Sequence, residues 1–160
     1  MKTRLLCLAA ALAVSAAAHA EDPRFEDYPA KVHTGAKAAL KLNKETRQFR
    51  TRFRELAKQP ANFAGHYGLG FAGCGTGCVF GMVYNLKTGR SGFLPEGTIT
   101  GCYLDDGYLD PIIDYRPNSR LLVLGLDTEK QGCQMRFYVE DKGRFRLIHK
   151  RPYTQADAQP

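Results

Sequence analysis

Residues 134–150 read Gln-Met-Arg-Phe-Tyr-Val-Glu-Asp-Lys-Gly-Arg-Phe-Arg-Leu-Ile-His-Lys, and this stretch decides the fold class. Gln134–Glu140 and Arg144–Lys150 are two short runs whose apolar residues, Phe137 and Val139, then Phe145 and Leu147, alternate with polar neighbours. Alternation with period two places one set of side chains on each side of a strand, so the runs predict a hairpin with one wet face. Asp141-Lys142-Gly143 supplies the turn. Upstream, Leu121–Leu126 is a further strand candidate.

The same period continues toward the N-terminus. His66–Phe71, Val79–Asn85 and Arg90–Leu94 read as short strands, the last two joined by Asn85-Leu86-Lys87-Thr88-Gly89. Seven glycines between Gly65 and Gly81 predict bends or close backbone packing. Before Phe63 the period changes to that of a helix. Asn43 is a good N-cap, Glu45 falls in the first turn, and Phe49, Phe53, Leu56 and Ala57 share one face until Pro60 ends the run. Residues 21–42 read as an extended arm on the surface, with a helix through Ala36–Leu42 as the competing reading. Residues 153–160 read as a polar tail. The expected architecture is mainly β (α+β): a single antiparallel β-sheet domain over residues 43–152 with one N-terminal amphipathic helix packed on it.

Composition agrees with that frame. The chain has 160 residues, 44% hydrophobic and 24% charged, which suits one globular domain and excludes coiled-coil, collagen-like and wholly disordered chains. Residues 1–20 have the three parts of a signal peptide: Lys2 and Arg4, the apolar run Leu5–Ala18, and the small-x-small site Ala18-His19-Ala20. About 14 apolar residues are too few to span a bilayer, where roughly 20 are needed, so a membrane anchor is disfavoured. Cys7 begins the apolar run, which argues against lipidation there. Cleavage after Ala20 predicts a bacterial periplasmic or secreted product. Loss of Lys2 and Arg4 takes the net charge from +7 to +5.

Export bears on the four remaining cysteines, Cys74, Cys78, Cys102 and Cys133. An even count in an oxidising compartment predicts two disulfides, with three connectivities open. Cys74 and Cys78 on a straight strand would stand ~13 Å apart, so a bridge between them needs Gly75 and Gly77 to turn the chain. The favoured pattern is 74–78 with 102–133; pairing each of the first two to Cys102 or Cys133 is the alternative.

Other chemistries fit less well. A redox pair would be Cys-x-x-Cys at a helix start, whereas Cys74-Gly-Thr-Gly-Cys78 has a three-residue spacing among strands. Zinc would need Cys102, Cys133 or His66 as further ligands. His66 precedes Cys74 by eight residues, matches no hydrolase arrangement, and more often than not such a histidine packs in a strand. Asp105, Asp106, Asp110 and Asp114 do not follow the calcium-loop pattern. No phosphate-binding glycine loop is present. Residues 24–58 hold ten basic and four acidic side chains, residues 95–115 hold five acids and no Lys or Arg, and residues 116–151 return to +5. The helix face with Arg47, Arg50 and Arg54 suits an acidic protein or an anionic envelope component better than nucleic acid, with a solvated face as the plain alternative.

The stretches Phe49-Arg50-Thr51-Arg52, Asn62-Phe63-Ala64-Gly65-His66-Tyr67, Gly73-Cys74-Gly75-Thr76-Gly77-Cys78 and Lys87-Thr88-Gly89 occur in that order. This order resembles a group of small exported proteobacterial proteins of unknown function with the motif order FRT…NFAGHY…GCGxxC…KTG. Members often carry Trp before the Gly-Cys-Gly, where this chain has Ala72. The resemblance implies export and a compact β domain and transfers no catalytic residue. Size, address and rigidity lead to the expectation of a non-enzymatic macromolecule-binding protein, such as a hydrolase inhibitor or a toxin-immunity protein. Its contacts are expected among Arg47, Arg50, Arg54, His66 and Thr76, with no cofactor. The alternatives are a small hydrolase using His66 with a nearby Cys or Asp, and a metal-binding protein.

Overall fold

Leu121–Leu126 reads Leu-Leu-Val-Leu-Gly-Leu, and every one of these residues is buried in the computed structural model, which describes residues 21–105 and 107–158. A strand apolar at both odd and even positions cannot have a wet face; it must be covered on both sides. The signal-peptide reading, with cleavage at Ala20, lies outside the described residues.

Among the described residues ten strands and one α-helix follow one another: α1 (Arg50–Lys58), β1 (Tyr67–Gly75), β2 (Cys78–Asn85), β3 (Ser91–Phe93), β4 (Ile99–Thr100), β5 (Cys102–Leu104), β6 (Gly107–Leu109), β7 (Ile112–Tyr115), β8 (Leu121–Thr128), β9 (Gly132–Asp141) and β10 (Arg144–Pro152). The chain is mainly β and the pairings between its strands are antiparallel, as expected. The strands form three sheets rather than one. The first has the order β1-β2-β3 with β4 also on β2, the second β10-β9-β8-β7, and β5-β6 is a separate two-stranded ribbon.

Alternation then sorts the side chains into layers. Leu122, Leu124, Leu126 and Tyr138 of the second sheet meet Tyr67, Leu69 and Val83 of the first in the central core. The odd residues Leu121, Val123, Phe137 and Val139 point the other way, where Phe25 and Tyr28 of the arm, Cys102 and Leu109 of the ribbon, and Tyr153 cover them. On the far side of the first sheet, Ala72, Met82 and Tyr84 pack under Phe53 and Leu56 of α1. Phe137 and Val139 therefore face a second core. On β9 the opposite face is buried too, with Tyr138 in the central core and Glu140 3% exposed, which corrects the expectation of a wet face there, while Arg144 and Arg146 on β10 remain exposed. A bulge between Leu147 and His149 shifts the parity of β10, sending Ile148 into the second core and leaving Leu147 41% exposed.

The α-helix starts at Arg50, later than the Asn43 N-cap reading expects, and a 3-10 turn over Thr46–Phe49 leads into it. Asn43 Oδ1 accepts from the Thr46 N–H at 2.8 Å, and Thr46 Oγ1 accepts from the Asn43 N–H at 2.9 Å. This reciprocal pair satisfies donors that a helix start leaves open. At the other end, Lys37 of the arm donates to the carbonyls of Lys58 and Gln59, placing a cation at the negative end of the dipole.

The arm is extended, not helical, through residues 36–42. It is pinned along its length. The Ser119 hydroxyl donates to the Phe25 carbonyl, the Ala30 N–H to Asn118, the His33 N–H to Gly65, and the Ala38 and Lys41 N–H groups to Leu86 and Gly89. Tyr84 donates to the Ala38 carbonyl. A Cβ on Gly65, whose φ is +76°, would run into the Lys31 carbonyl, so this crossing demands glycine.

The C-terminal segment is not simply a polar tail. Tyr153 is 3% exposed, and its hydroxyl donates to the Asp110 carbonyl. Arg151 bridges Asp22 at 2.7 Å and Asp157 at 2.6 Å, tying the two ends of the described chain together. The Arg151 guanidinium, with help from the Thr154 N–H and hydroxyl, holds the Asp157 carboxyl down at about 2.

Leu124→Ala should lower unfolding free energy by about 2–5 kcal/mol, and Leu147→Ala should change it by no more than about 0.5 kcal/mol, both read from urea unfolding. Because the folded pKa of Asp157 lies below its ordinary value of 3.8, its contribution is present above that value and is lost as pH falls toward about 2. Asp157→Asn should therefore show a shallower loss of stability than the parent between those limits.

Candidate functional site

The first sheet positions two features at its opposite ends. At one end β1 and β2 meet in the loop Cys74-Gly75-Thr76-Gly77-Cys78, closed by a Cys74–Cys78 disulfide with Cα atoms 5.2 Å apart. Gly75 at φ +143° and Gly77 at φ +65° make the turn that brings the cysteines within reach. Thr76 is exposed at the tip. The β5-β6 ribbon leans on this loop, with the Tyr108 hydroxyl donating to the Gly77 carbonyl at 3.3 Å. Tyr103 and Tyr108 pack against each other with ring centroids 5.0 Å apart, yet Tyr103 remains 78% exposed. Sequence reading missed both tyrosines, because the ribbon's three-residue strands carry no periodicity.

Cys102 and Cys133 differ from the expected second bridge. They are neighbours, on β5 and β9, but both are free thiols. Cys102 is fully buried, and burial, then the Cys133 thiol beside it, push its pKa up, which makes it a poor nucleophile. Among the described residues no group of three or more His, Cys, Asp and Glu side chains is arranged to hold a metal.

The other end holds a cleft of about 840 Å³ between β1-β2-β3 and the β9-β10 hairpin. Asn62 shapes this end by pairing its side-chain amide with both backbone groups of Leu69, like an added strand. Phe63 is buried, and Ala64 and Gly65 take positive φ to turn the chain, which delivers His66 and Tyr67 to the cleft. Asp141 pairs with Arg144 and leaves Lys142 (φ 51°) and Gly143 (φ 87°) as a two-residue hairpin turn of type I′.

Glu140, just before that turn, is 3% exposed. Its Oε1 accepts from the Tyr67 hydroxyl at 3.0 Å and from the Gly143 N–H at 2.7 Å. Burial, then the Glu140 charge, push the Tyr67 phenol up to about 12, so it keeps its proton and donates. Burial, then the positive charge of Lys87, lower the His66 pKa, leaving a neutral imidazole at neutral pH. Sequence reading singled out His66 but not Glu140, whose burial depends on the partner sheet.

His66 and Cys74 stand at opposite ends of β1, roughly 25 Å apart at ~3.3 Å per residue. The acid that the structure brings toward His66 is Glu140, neither a Cys nor an Asp. Ser91 also lines the cleft, but its hydroxyl donates to the Lys41 carbonyl at 2.8 Å and shares a hydrogen bond with Thr46. Arg47, Arg50 and Arg54 are exposed and make no ion pair among the described residues. Asp105, Asp110 and Asp114 are exposed and dispersed over the ribbon, the Asp110-Pro111 connection and β7. No described helix is long and apolar enough to cross a membrane. Comparison with known protein families, curated proteins and solved structures finds no match.

The state of the second cysteine pair can be read directly. Alkylation of the chain from Glu21 onward without reductant should label Cys133 first and Cys102 slowly, leaving Cys74 and Cys78 unlabelled, by intact mass and peptide mapping. A native mass that matches two bridges, with no labelling, would show instead that Cys102 and Cys133 have closed.

Proposed function

We propose that this is an exported protein, periplasmic or secreted, that binds another macromolecule without transforming it, as a hydrolase inhibitor or a toxin-immunity protein does. The observation that carries this reading is the disulfide-closed loop at Thr76 set beside the exposed tyrosines Tyr103 and Tyr108. A loop already held in one shape loses little conformational entropy on binding. Tyrosine offers large contact area at the cost of ordering two torsions, and such residues concentrate binding energy at interfaces. The free guanidinium groups of Arg47, Arg50 and Arg54 add a cationic face suited to an acidic protein or an anionic envelope component. The order of the FRT, NFAGHY, GCGxxC and KTG motifs supports the same address through its resemblance to small exported proteins.

The alternative, a small hydrolase built on His66, gains Glu140 as a neighbouring acid. On the same cleft the Ser91 hydroxyl is engaged, and the cysteines lie elsewhere.

Capture from envelope extracts by the immobilised protein tests the reading. Tyr103→Ala with Tyr108→Ala should weaken capture of a specific partner by at least about tenfold, the scale of an aromatic hot spot. Replacing Arg47, Arg50 and Arg54 by Glu should weaken it further and remove its salt dependence. Undiminished capture by the tyrosine variant would overturn the role of the tip. Turnover of an envelope substrate that disappears in a folded His66→Ala variant would favour the hydrolase.

A further inference from the structure

At the cleft opposite the stapled loop, a buried carboxylate meets open volume. Both hydrogen bonds to the Glu140 carboxylate end on Oε1 and none among the described residues ends on Oε2; the Arg120 guanidinium donates to the Glu140 main-chain carbonyl at 3.1 Å instead, and no described Lys or Arg forms an ion pair with the carboxylate. Glu140 itself lines the cleft. A carboxylate withdrawn from water with one oxygen unfilled is poorly stabilised, and a donor arriving from the cleft would correct that.

The mouth determines which donor. Arg90, Lys142 and Arg144 are exposed and line the same cleft, with Lys87 close enough to depress His66. Three cations at the entrance draw in anions and repel an ammonium group, so the donor that reaches Oε2 is a neutral hydroxyl and the ligand's charge is negative. Phe93, Phe145 and Val83 give the cleft apolar wall, suited to the C–H face of a ring. A volume of about 840 Å³ is of ligand-site size.

We propose that the cleft binds an acidic saccharide, with a ring hydroxyl donating to Glu140 Oε2 and the sugar's carboxylate held at Arg90, Lys142 and Arg144. Tyr67 and Gly143 position the Glu140 carboxylate by occupying Oε1, which leaves Oε2 for the ligand. The site is separate from the tip and stands or falls independently of partner capture there.

The test is calorimetry on the chain from Glu21 onward with a glucuronate-containing disaccharide. Neutral chitobiose and a monoamine sugar serve as controls, and amide NMR shifts locate the site. The acidic disaccharide should bind at millimolar concentration, at least about tenfold more tightly than chitobiose, and more weakly as salt rises. Shifts should gather at Tyr67, Gly143 and Arg90. Glu140→Gln should cost about tenfold by replacing a charged acceptor, and Lys142→Ala with Arg144→Ala a similar factor, since charge-assisted hydrogen bonds are the strong ones. Should Glu140→Gln fail to fold, the exposed double variant and the shift map decide the matter. No binding, equal binding of the neutral disaccharide, preference for the amine sugar, or shifts confined to another surface would each overturn the proposal.

Discussion

The structure depends on β8 being apolar on both faces. Leu122, Leu124 and Leu126 go into the core between the sheets, and Leu121 and Val123 go into the core on the other side. A strand of that kind is stable only inside a stack, because either face left in water would expose a continuous apolar surface. The remaining layers follow from this need. The first sheet covers one face, and the arm, the ribbon and Tyr153 cover the other. The first sheet is itself two-sided and requires α1. A chain of this size reaches such depth by using short elements and extended segments as layers.

The arm is accordingly part of the fold. It crosses from the Asn118–Arg120 region to the Leu86–Gly89 turn, so it holds the second sheet to the first by backbone hydrogen bonds at both ends. Between those ends it contributes Lys37 to the helix C-terminus and accepts the Tyr84 hydroxyl at Ala38. Its start is clamped through Asp22 to Arg151, whose second carboxylate comes from Asp157. These charged contacts are partly buried and chelate-like, which makes them more useful than isolated surface pairs.

The two ends of the first sheet offer different kinds of surface for one reason. Where β1 turns into β2 the chain continues and the disulfide closes it, so the end is convex and stiff. Where β1 begins and β2 ends, the first sheet and the β9-β10 hairpin line the same cleft, so that polar groups of both face a common volume. Recognition of a large partner fits the first kind and recognition of a small one the second. The charge distribution adds to this contrast: no Lys or Arg lies in residues 95–115, which include the ribbon, while Arg90, Lys142 and Arg144 surround the cleft.

Local patterns marked most of the strands of both large hairpins (though not the end of β1 beyond Phe71), the turn at Lys142-Gly143, the apolar helix face of Phe49, Phe53 and Leu56, and the capacity of Gly75 and Gly77 to let Cys74 reach Cys78. Each depends on a few adjacent residues, whose conformational limits travel with the chain. The unbroken apolar run of β8 also carried the sign of two-sided burial, although alternation in the neighbouring hairpin pointed to a wet face. What no local pattern contains is which sheet a strand joins and what covers it. The strands β4 to β7 have two to four residues each and exist because neighbours are there to pair with. Glu140 looks like any polar residue on an alternating strand until Tyr67, 73 positions away in sequence, closes over it. Tyr103, in the same way, is an ordinary aromatic until the second sheet and the stapled loop leave it standing in solvent. Burial, exposure and the meeting of distant side chains are properties of the packed layers, and tertiary structure alone decided them.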